Sequence, residues 1–238
     1  MVKNNTIIVT GGSGRFAKSL RKIKSKYKFI YPTKKQLNIT NQKSIKKYLK
    51  KNKSFAVLHL AGLSRPMIEH QTNISKSINL NIIGTANLSC VCSKLNKKII
   101  YFSSSYVYPG KKGNYKEDDP LLPWNNYAWS KMGGECSVQM LKNSLILRVC
   151  MTEKPFIHKK AFANVKLNFI FHDELAKMLV KILNKKGVIN IGGPTRTVYD
   201  FAKIYNQKVK KIFNKKNSFG NFPMKPFMDL SKLKKIIN

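Results

Sequence analysis

The pattern that most constrains the fold lies in the first seventeen residues, where a short apolar run leads directly into a glycine-rich turn. Residues 4–10 are apolar and β-branched, as in a buried strand of a parallel sheet, and TGGSGRFA follows from Thr10 to Ala17. Gly11 and Gly14 permit a tight turn and a close approach of the backbone to a pyrophosphate. The helix that follows offers free N–H groups and a positive dipole end. A tight turn without a ligand is the alternative, but this position between strand and helix favours dinucleotide binding.

Strand-like and helical patterns alternate along the rest of the chain. Further strands are predicted at residues 28–31, 55–60, 98–103, 144–149 and 188–191. Helices are predicted at residues 15–26, 41–51, 73–95, 127–141, 173–183, 197–205 and 229–237. This alternation predicts an α/β fold, a doubly wound parallel sheet with right-handed crossovers. We expect this core to cover residues 1–150, and a small substrate-binding lobe with returning C-terminal elements to cover residues 151–238.

Composition limits the class of partner and the compartment. The 46 lysine and arginine residues outnumber the 10 acidic ones, giving a formal charge of +36, but the lysines are spread over the whole length. We therefore expect non-specific binding to polyanions at low salt and no specific nucleic-acid partner. No apolar run reaches the roughly 18–20 residues that span a membrane, and the start lacks a signal-peptide cleavage site. The four cysteines form no disulfide framework, which favours a reducing cytoplasm, and Cys90 and Cys92 are expected to be buried.

Three segments at predicted strand ends or just beyond could carry chemistry. HLAGLS begins at His59, the hydroxyl-rich SSSYVY begins at Ser103, and YAWSK places Tyr127 and Lys131 four residues apart. On a helix, such a pair shares one face at roughly 5–6 Å between Cβ atoms. The ammonium group should lower the pKa of the tyrosine, which could then exchange a proton with a carbonyl oxygen held by a serine hydroxyl. The alternative is an ordinary solvated helix face, which the glycine turn and the serine-ended strand disfavour. His59 is expected to pack rather than react.

The second predicted strand indicates which cofactor would bind. The acidic residue that usually grips a ribose 2′-hydroxyl is missing, and the strand leads into Lys34 and Lys35. Basic side chains here can accommodate a 2′-phosphate, so the sequence favours NADP over NAD. His158 and His172 have no acidic partner at metal-ligand spacing, and no metal is expected.

Taken together and in this order, TGGSGRFA, HLAGLS, SSSYVY and YAWSK resemble the extended short-chain dehydrogenase/reductase family, the NAD-dependent epimerases and dehydratases. Within it, SSSYVYPG, YAWSKMGGE, QLNIT and the terminal DLSKLKKI are most similar to the dTDP-4-dehydrorhamnose reductase group. The resemblance covers residues 6–150 and is thin beyond. It implies an NAD(P)-binding Rossmann core over residues 1–150 with a catalytic set of Ser104, Tyr127 and Lys131. It also implies that the cofactor lies near Gly11, Ser13, Gly14, Arg15, Phe16, Asn38, Ile39, Ala61, Gly62, Leu63, Asn81, Tyr127 and Lys131.

Two departures from the family pattern matter. Asn38 stands where the group has aspartate, which weakens the inferred cofactor contact there. Related GDP-fucose synthases carry an epimerising cysteine two residues after the catalytic serine, and this chain has Tyr106, which argues against 3,5-epimerisation.

The resemblance implies an NAD(P)H-dependent reductase of a 4-keto-deoxy nucleotide sugar, with NADP or NAD as cofactor and Tyr127 as proton donor. One alternative is an epimerase or dehydratase with tightly bound NAD. Another is a non-catalytic Rossmann-fold module that binds RNA or a protein. A homodimer through two long helices is common among relatives of this kind.

Overall fold

The computed structural model describes residues 5–156, 158–215 and 222–237, so the predicted start at Asn4 lies outside the described residues. The strands are β1 Thr6–Thr10, β2 Lys28–Ile30, β3 Ala56–His59, β4 Lys98–Ser104, β5 Ser144–Val149, β6 Met151–Thr152, β7 Lys160–Phe162, β8 Lys166–Leu167, β9 Ile170–Phe171, β10 Gly187–Ile191, β11 Arg196–Thr197 and β12 Lys210–Ile212. The helices are α1 Arg15–Leu20, α2 Gln42–Lys51, α3 Glu69–Thr72, α4 Ile74–Ser77, α5 Gly84–Lys94, α6 Asn126–Gln139, α7 His172–Ile182, α8 Val198–Tyr205 and α9 Ser231–Ile237.

The main sheet confirms the predicted fold class. Within the described residues it has six strands in the order β2-β1-β3-β4-β5-β10, and every neighbouring pair is parallel. The chain moves from β1 to β2 on one side and then returns to β3 on the other side of β1. This reversal creates a crevice at the carboxyl ends of β1 and β3, the place where doubly wound sheets bind ligands.

Both faces of the sheet are covered, which explains why its strands are continuously apolar. Ile7 and Val9 of β1 point to one side, into a core shared with α1, α7 and α9. Ile8 points to the other side, into a core shared with α2, α5 and α6. Since neither face meets water, the sequence shows no polar alternation in these strands.

The predicted helix over residues 73–95 is one continuous helical path with a change of pitch. After α4, residues Ile78–Ile83 form a π-helical turn, and α5 continues from Gly84. Asn81 lies in this turn and is buried, with its side chain directed toward the loop after β3. π-Turns inside helices are rare and occur frequently at functional sites. Periodicity does not predict one, because the apolar spacing on either side is ordinary.

The described part of the chain after residue 150 contributes to two regions. One is a separate core of aromatic and apolar side chains that includes Phe156, Phe171 and Phe201, with β7, β8 and β11 at its edges. The other is the main sheet itself, to which β10 adds the sixth strand, while α7 packs beside α1 and α9 packs against α7 and β10. The division into units at residue 150 stays a prediction.

A buried polar network attaches β10 to the rest of the sheet. Arg148 on β5 donates to Glu135 of α6 at 2.7 Å and to the Tyr108 hydroxyl at 2.7 Å. Tyr108 in turn donates to Asn190 Oδ1 at 2.8 Å, and Glu117 Oε1 accepts from the Asn190 backbone at 2.9 Å. Glu117 is thus part of the structure rather than of a solvated acidic loop, because its segment folds back over the strand ends.

The four cysteines are free, and Cys92 and Cys150 are buried. The prediction for Cys90 is wrong: its side chain is exposed, because it lies on the outer face of α5, whereas Cys92 faces the core. Among the described residues, no helix is both long and apolar enough to cross a bilayer.

Candidate active site

The glycine turn lies against the end of β3. Gly11 has φ +72°, and a Cβ there would stand 2.6 Å from the backbone nitrogen of Ala61. Any side chain at this position would therefore meet both an unfavourable backbone conformation and a steric clash. The turn is closed by Gly14 N–H, which donates to Gly11 O at 2.9 Å. These contacts make the turn one wall of the crevice at the switch point.

The residues after Gly11 divide into exposed and buried groups. Ser13, Gly14 and Arg15 are exposed, so a ligand in the crevice could reach them. Phe16 is buried, and its ring packs 4.9 Å from that of Phe102. The predicted cofactor contact of Phe16 stays a prediction, and it could involve only backbone atoms because the side chain belongs to the core.

The opposite wall is the loop after β3, which Asn81 holds in place. Asn81 Oδ1 accepts from Leu63 N–H at 2.7 Å, and its Nδ2 donates to Leu63 O and to Ser130 Oγ, both at 2.8 Å. A Cβ at Gly62 would stand 2.7 Å from Asn81 Oδ1. The structure thus brings four of the predicted cofactor residues together: Ala61, Gly62, Leu63 and Asn81.

A buried chain of hydrogen bonds joins the two walls beneath the crevice. His59 Nδ1 lies 2.8 Å from Thr10 Oγ1, and its Nε2 lies 3.0 Å from Thr85 Oγ1. Thr10 Oγ1 also accepts from Ala61 N–H, and Thr85 donates to Asn81 O. Burial lowers the pKa of His59 to about 3, helped by the charge of Lys131, so the imidazole is neutral. His59 packs, as the sequence predicts.

Ser104, Tyr127 and Lys131 come from two adjacent elements. Ser104 ends β4, and Tyr127 lies in the first turn of α6. Asn125 is the N-cap of this helix, and its side-chain oxygen accepts a hydrogen bond from Ala128 N–H. Burial raises the pKa of Tyr127, while the neighbouring Ser104 side chain and the charge of Arg65 oppose the rise. Burial lowers the pKa of Lys131 to about 7, against the charge of Glu135.

The prediction that the pKa of Tyr127 is lowered is wrong. The pKa is raised, because burial outweighs the opposing charge of Arg65. The Lys131 ammonium lies over the ring of Tyr101, 4.2 Å from its centroid. In this state Tyr127 keeps its proton, which suits a proton donor.

Asn38 and Ile39 occupy a turn before α2. Asn38 Oδ1 accepts from the Thr40 hydroxyl at 2.9 Å and Asn38 N–H donates to Ser44 Oγ, so its polar groups are used locally. The side chain of Ile39 is buried in the core against which Ala61 packs. Their contact with a cofactor stays a prediction.

Aromatic side chains surround Tyr127, and the sequence analysis missed two of them, His70 and Phe222. The ring of His70 lies 5.1 Å from that of Tyr127, and the ring of Tyr106 lies 6.2 Å from it. Trp124 and Phe222 extend the cluster, each with its ring within 6 Å of Tyr106. His70 comes from α3 and Phe222 from the segment before α9, and neither belongs to a motif, so no local signal identifies them.

A third missed residue is Arg21, beside the end of β2. Its guanidinium lies 3.7 Å from the centroid of the Tyr31 ring and donates to Gly12 O at 3.3 Å. Lys34 and Lys35, which the sequence favours as 2′-phosphate partners, are exposed. Arg21 therefore adds a positive charge between the glycine turn and the second strand.

The residues present fit a bound dinucleotide. Glycine stands where a Cβ would clash, exposed turn residues face the switch point, and a serine, a tyrosine and a lysine lie beyond it. The fold and these residues define the class: a Rossmann-type protein with the features of a short-chain dehydrogenase/reductase. The chain belongs to the RmlD substrate binding domain family, whose model matches residues 5–224.

Known proteins similar to this chain are enzymes and an enzyme subunit. It is 26% identical over 216 residues to the dTDP-4-dehydrorhamnose reductase of Aggregatibacter actinomycetemcomitans, covering 87% of this chain and 68% of that protein. It is 27% identical over 159 residues to methionine adenosyltransferase 2 subunit beta of Xenopus laevis, covering 62% of this chain and 47% of that protein. The chain thus spans about half the length of the second relative.

The fold is shared with a solved structure of dTDP-4-dehydrorhamnose reductase from Bacillus anthracis in complex with NADP. The TM-score is 0.85 at 21% sequence identity, with 97% of this chain and 92% of that chain covered. At this identity the likeness supports the Rossmann-type fold, which agrees with the sheet order described above.

Proposed function

We propose that this chain is an NAD(P)H-dependent reductase of a 4-keto-deoxy nucleotide sugar. The observation that carries the proposal is the placement of Ser104 at the end of β4 beside Tyr127 of α6, on the far side of the crevice from the glycine turn. The family membership and the named activity of the Aggregatibacter relative support the substrate class.

The crevice residues would hold the cofactor between them. Gly11, Ser13, Gly14 and Arg15 would face its diphosphate, and Ala61, Gly62 and Leu63 would lie along its other side. When bound, the nicotinamide supplies the hydride. Arg21 beside Tyr31 supports NADP as the preferred form, because its guanidinium lies near the end of the second strand, where a 2′-phosphate would lie.

The side chains beyond the crevice would handle the carbonyl group. Ser104 would donate a hydrogen bond to the keto oxygen and orient it, and Tyr127 would donate its proton to the same oxygen. Lys131 would bind the nicotinamide ribose. The aromatic cluster of His70, Tyr106, Trp124 and Phe222 would exclude water from the reacting carbonyl.

The mechanism is tested by Tyr127→Phe, which keeps the ring and removes the proton donor. We expect turnover of dTDP-4-dehydrorhamnose with NADPH to fall by about 100-fold or more, because a positioned proton donor contributes roughly 10²–10⁴. Cofactor affinity should change little. Tyr48→Phe, which removes a phenol hydroxyl from α2, serves as the matched control. Near-wild-type turnover in Tyr127→Phe would reject the proposed role.

An epimerase or dehydratase activity is the second enzyme candidate. Such an enzyme returns the hydride to the sugar within one cycle, so NAD would stay bound without net consumption. Tyr106 in place of the epimerising cysteine disfavours 3,5-epimerisation. Measuring cofactor consumed per sugar converted separates the two enzyme classes.

A non-catalytic role has one specific observation in its favour, since a relative is named as a subunit of methionine adenosyltransferase. A pure binding module has no need of serine, tyrosine and lysine at this spacing. Stable RNA or protein binding at physiological salt without any nicotinamide binding would favour this role over the reductase.

We further propose that the aromatic core after residue 150 forms the substrate-binding lobe. Free thiols throughout the chain support the proposal of a reducing, cytoplasmic compartment.

A further inference from the structure

Three charged side chains meet above the carboxyl edge of the main sheet. Glu153 Oε1 accepts from Arg15 Nη1 at 2.7 Å and from Arg65 Nη1 at 3.2 Å. Arg15 begins α1, Arg65 lies in the loop after β3, and Glu153 follows β6. We call Arg15, Glu153 and Arg65 the arginine clasp.

The clasp crosses the crevice. Arg15 follows β1, and Glu153 follows β5 by four residues. In the sheet, β1 and β5 are three strand positions apart, roughly 14 Å at the usual strand spacing. The ion pair between Arg15 and Glu153 therefore joins segments that follow β1 and β5, at the strand-end edge where a dinucleotide would lie in this fold.

The position of this carboxylate is informative because carboxylates are scarce. With 10 acidic and 46 basic residues, most basic side chains in the chain cannot have an acidic partner at all. One oxygen of Glu153 nevertheless serves two guanidinium groups, and the cluster keeps a net positive charge. All three side chains are about one third to two fifths exposed, so a solute can reach them.

We propose that Glu153 is an internal substitute for a ligand diphosphate, which displaces it from Arg15 and Arg65. The inference rests on the proposed function, because it concerns the same crevice. A diphosphate carries more negative charge than one carboxylate and offers enough oxygens to engage two planar guanidinium groups at once. In the ligand-free protein, Glu153 competes with the ligand and lowers its affinity.

The test measures affinity rather than turnover, by calorimetry at about 0.15 M salt, where long-range charge effects are screened. The probes are inorganic pyrophosphate, NADP⁺ and UDP. We expect Glu153→Gln to bind pyrophosphate about fivefold more tightly than the wild type, since each exposed pair contributes at most about 1 kcal/mol. The control is Glu69→Gln, which also removes one charge and one 2.7 Å pair, with Lys76, at nearly equal exposure.

A thermodynamic cycle isolates the mechanism. In an Arg15→Gln/Arg65→Gln background, Glu153→Gln should not increase pyrophosphate affinity, because there are no guanidinium groups left for the carboxylate to occupy. Equal affinities of Glu153→Gln and Glu69→Gln would overturn the proposal. Weaker binding by Glu153→Gln would also overturn it, because Glu153 would then position the arginines for the ligand.

The three probes distinguish the source of the diphosphate. If Glu153→Gln binds NADP⁺ more tightly than the wild type but not UDP, the arginine clasp binds the diphosphate of the cofactor. If it binds UDP more tightly but not NADP⁺, the clasp binds the diphosphate of the nucleotide sugar. These affinities are measurable whether or not the chain reduces a sugar. If Tyr127→Phe abolishes turnover while Glu153→Gln does not increase ligand affinity, the proposed displacement of Glu153 is rejected and the proposed reductase function is retained.

Discussion

At the scale of single residues, two glycines with similar backbone angles have different structural roles. Gly11 has φ +72° and no room for a Cβ, whereas Gly187 has φ +80° with no atom within 4 Å of its Cβ position. Both can adopt the left-handed region because they lack a side chain. At Gly11 the close approach of β3 adds a second requirement.

These two glycines form a matched pair for mutation. Gly187→Ala should lower the free energy of unfolding by roughly 1–2 kcal/mol, the cost of a left-handed residue with a side chain. Gly11→Ala should cost about 1–3 kcal/mol more, because the methyl group overpacks the turn against Ala61. Urea unfolding of the two variants measures the difference. Equal destabilisation would show that the turn can move away from β3.

Residue-level prediction from sequence succeeds where the cause is local. Gly11, Gly14 and the Tyr127/Lys131 spacing are visible because each lies within one turn of chain. Arg65 and Glu153 are not, since their meeting depends on the order in which the strands assemble. The partner of Lys131 was missed for the same reason: Tyr101 comes from a neighbouring strand.

At the scale of elements, the pair Arg148–Glu135 joins β5 to α6. Both side chains are almost fully buried, at 3% and 2% exposure, and Glu135 Oε1 accepts from both Nε and Nη2 of Arg148. Removing two charges from water costs free energy that offsets much of their mutual attraction. The pair therefore adds little net stability, but neither charge can be buried without the other.

Removing one member of this pair should be worse than removing both. Arg148→Met leaves the Glu135 carboxylate buried without its partner and should lower the free energy of unfolding by about 3–5 kcal/mol. The double variant Arg148→Met/Glu135→Gln should recover part of that loss. Chemical unfolding of the single and double variants measures the coupling. A double variant as unstable as the sum of the single changes would contradict this reading.

Element boundaries show what periodicity can and cannot predict. The start of α2 is visible in the sequence, and Asn41 caps it by accepting from Ser44 N–H. The predicted first helix runs to residue 26, but α1 ends at Leu20 because Ile23 and Tyr27 are drawn toward the core as the chain turns to β2. The two-residue strands after β5 leave too short a pattern to recognise.

At the scale of the whole molecule, one surface is apolar in a chain of high positive charge. Ile74, Ile78 and Trp129 are each about half exposed and line a cavity of about 450 Å³ between the π-turn and α6. Exposed apolar patches of this kind mark interaction sites. We propose that two copies meet here, the homodimer that the family resemblance implies.

The dimer is tested by light scattering coupled to gel filtration. The wild type should have the mass of a dimer, and Trp129→Lys should be a monomer, because it places a charge at the centre of the contact. Met140→Lys adds the same charge at an exposed apolar residue just beyond α6 and should leave the dimer intact. Equal masses for Trp129→Lys and Met140→Lys would reject the proposal that two copies meet at this surface. Since both copies are strongly positive, added salt should strengthen the association.

The sixth strand of the sheet affects the order in which the protein can assemble. β10 completes the sheet beside β5, yet β5 ends at Val149 and β10 begins only at Gly187, with part of the aromatic core between them in the chain. During synthesis, β5 has an open edge until Ile191 has left the ribosome. An open strand edge invites pairing with another chain. The nascent protein therefore passes through a stage in which it is prone to aggregate, and this stage ends when β10 docks and Arg148, Tyr108 and Asn190 connect.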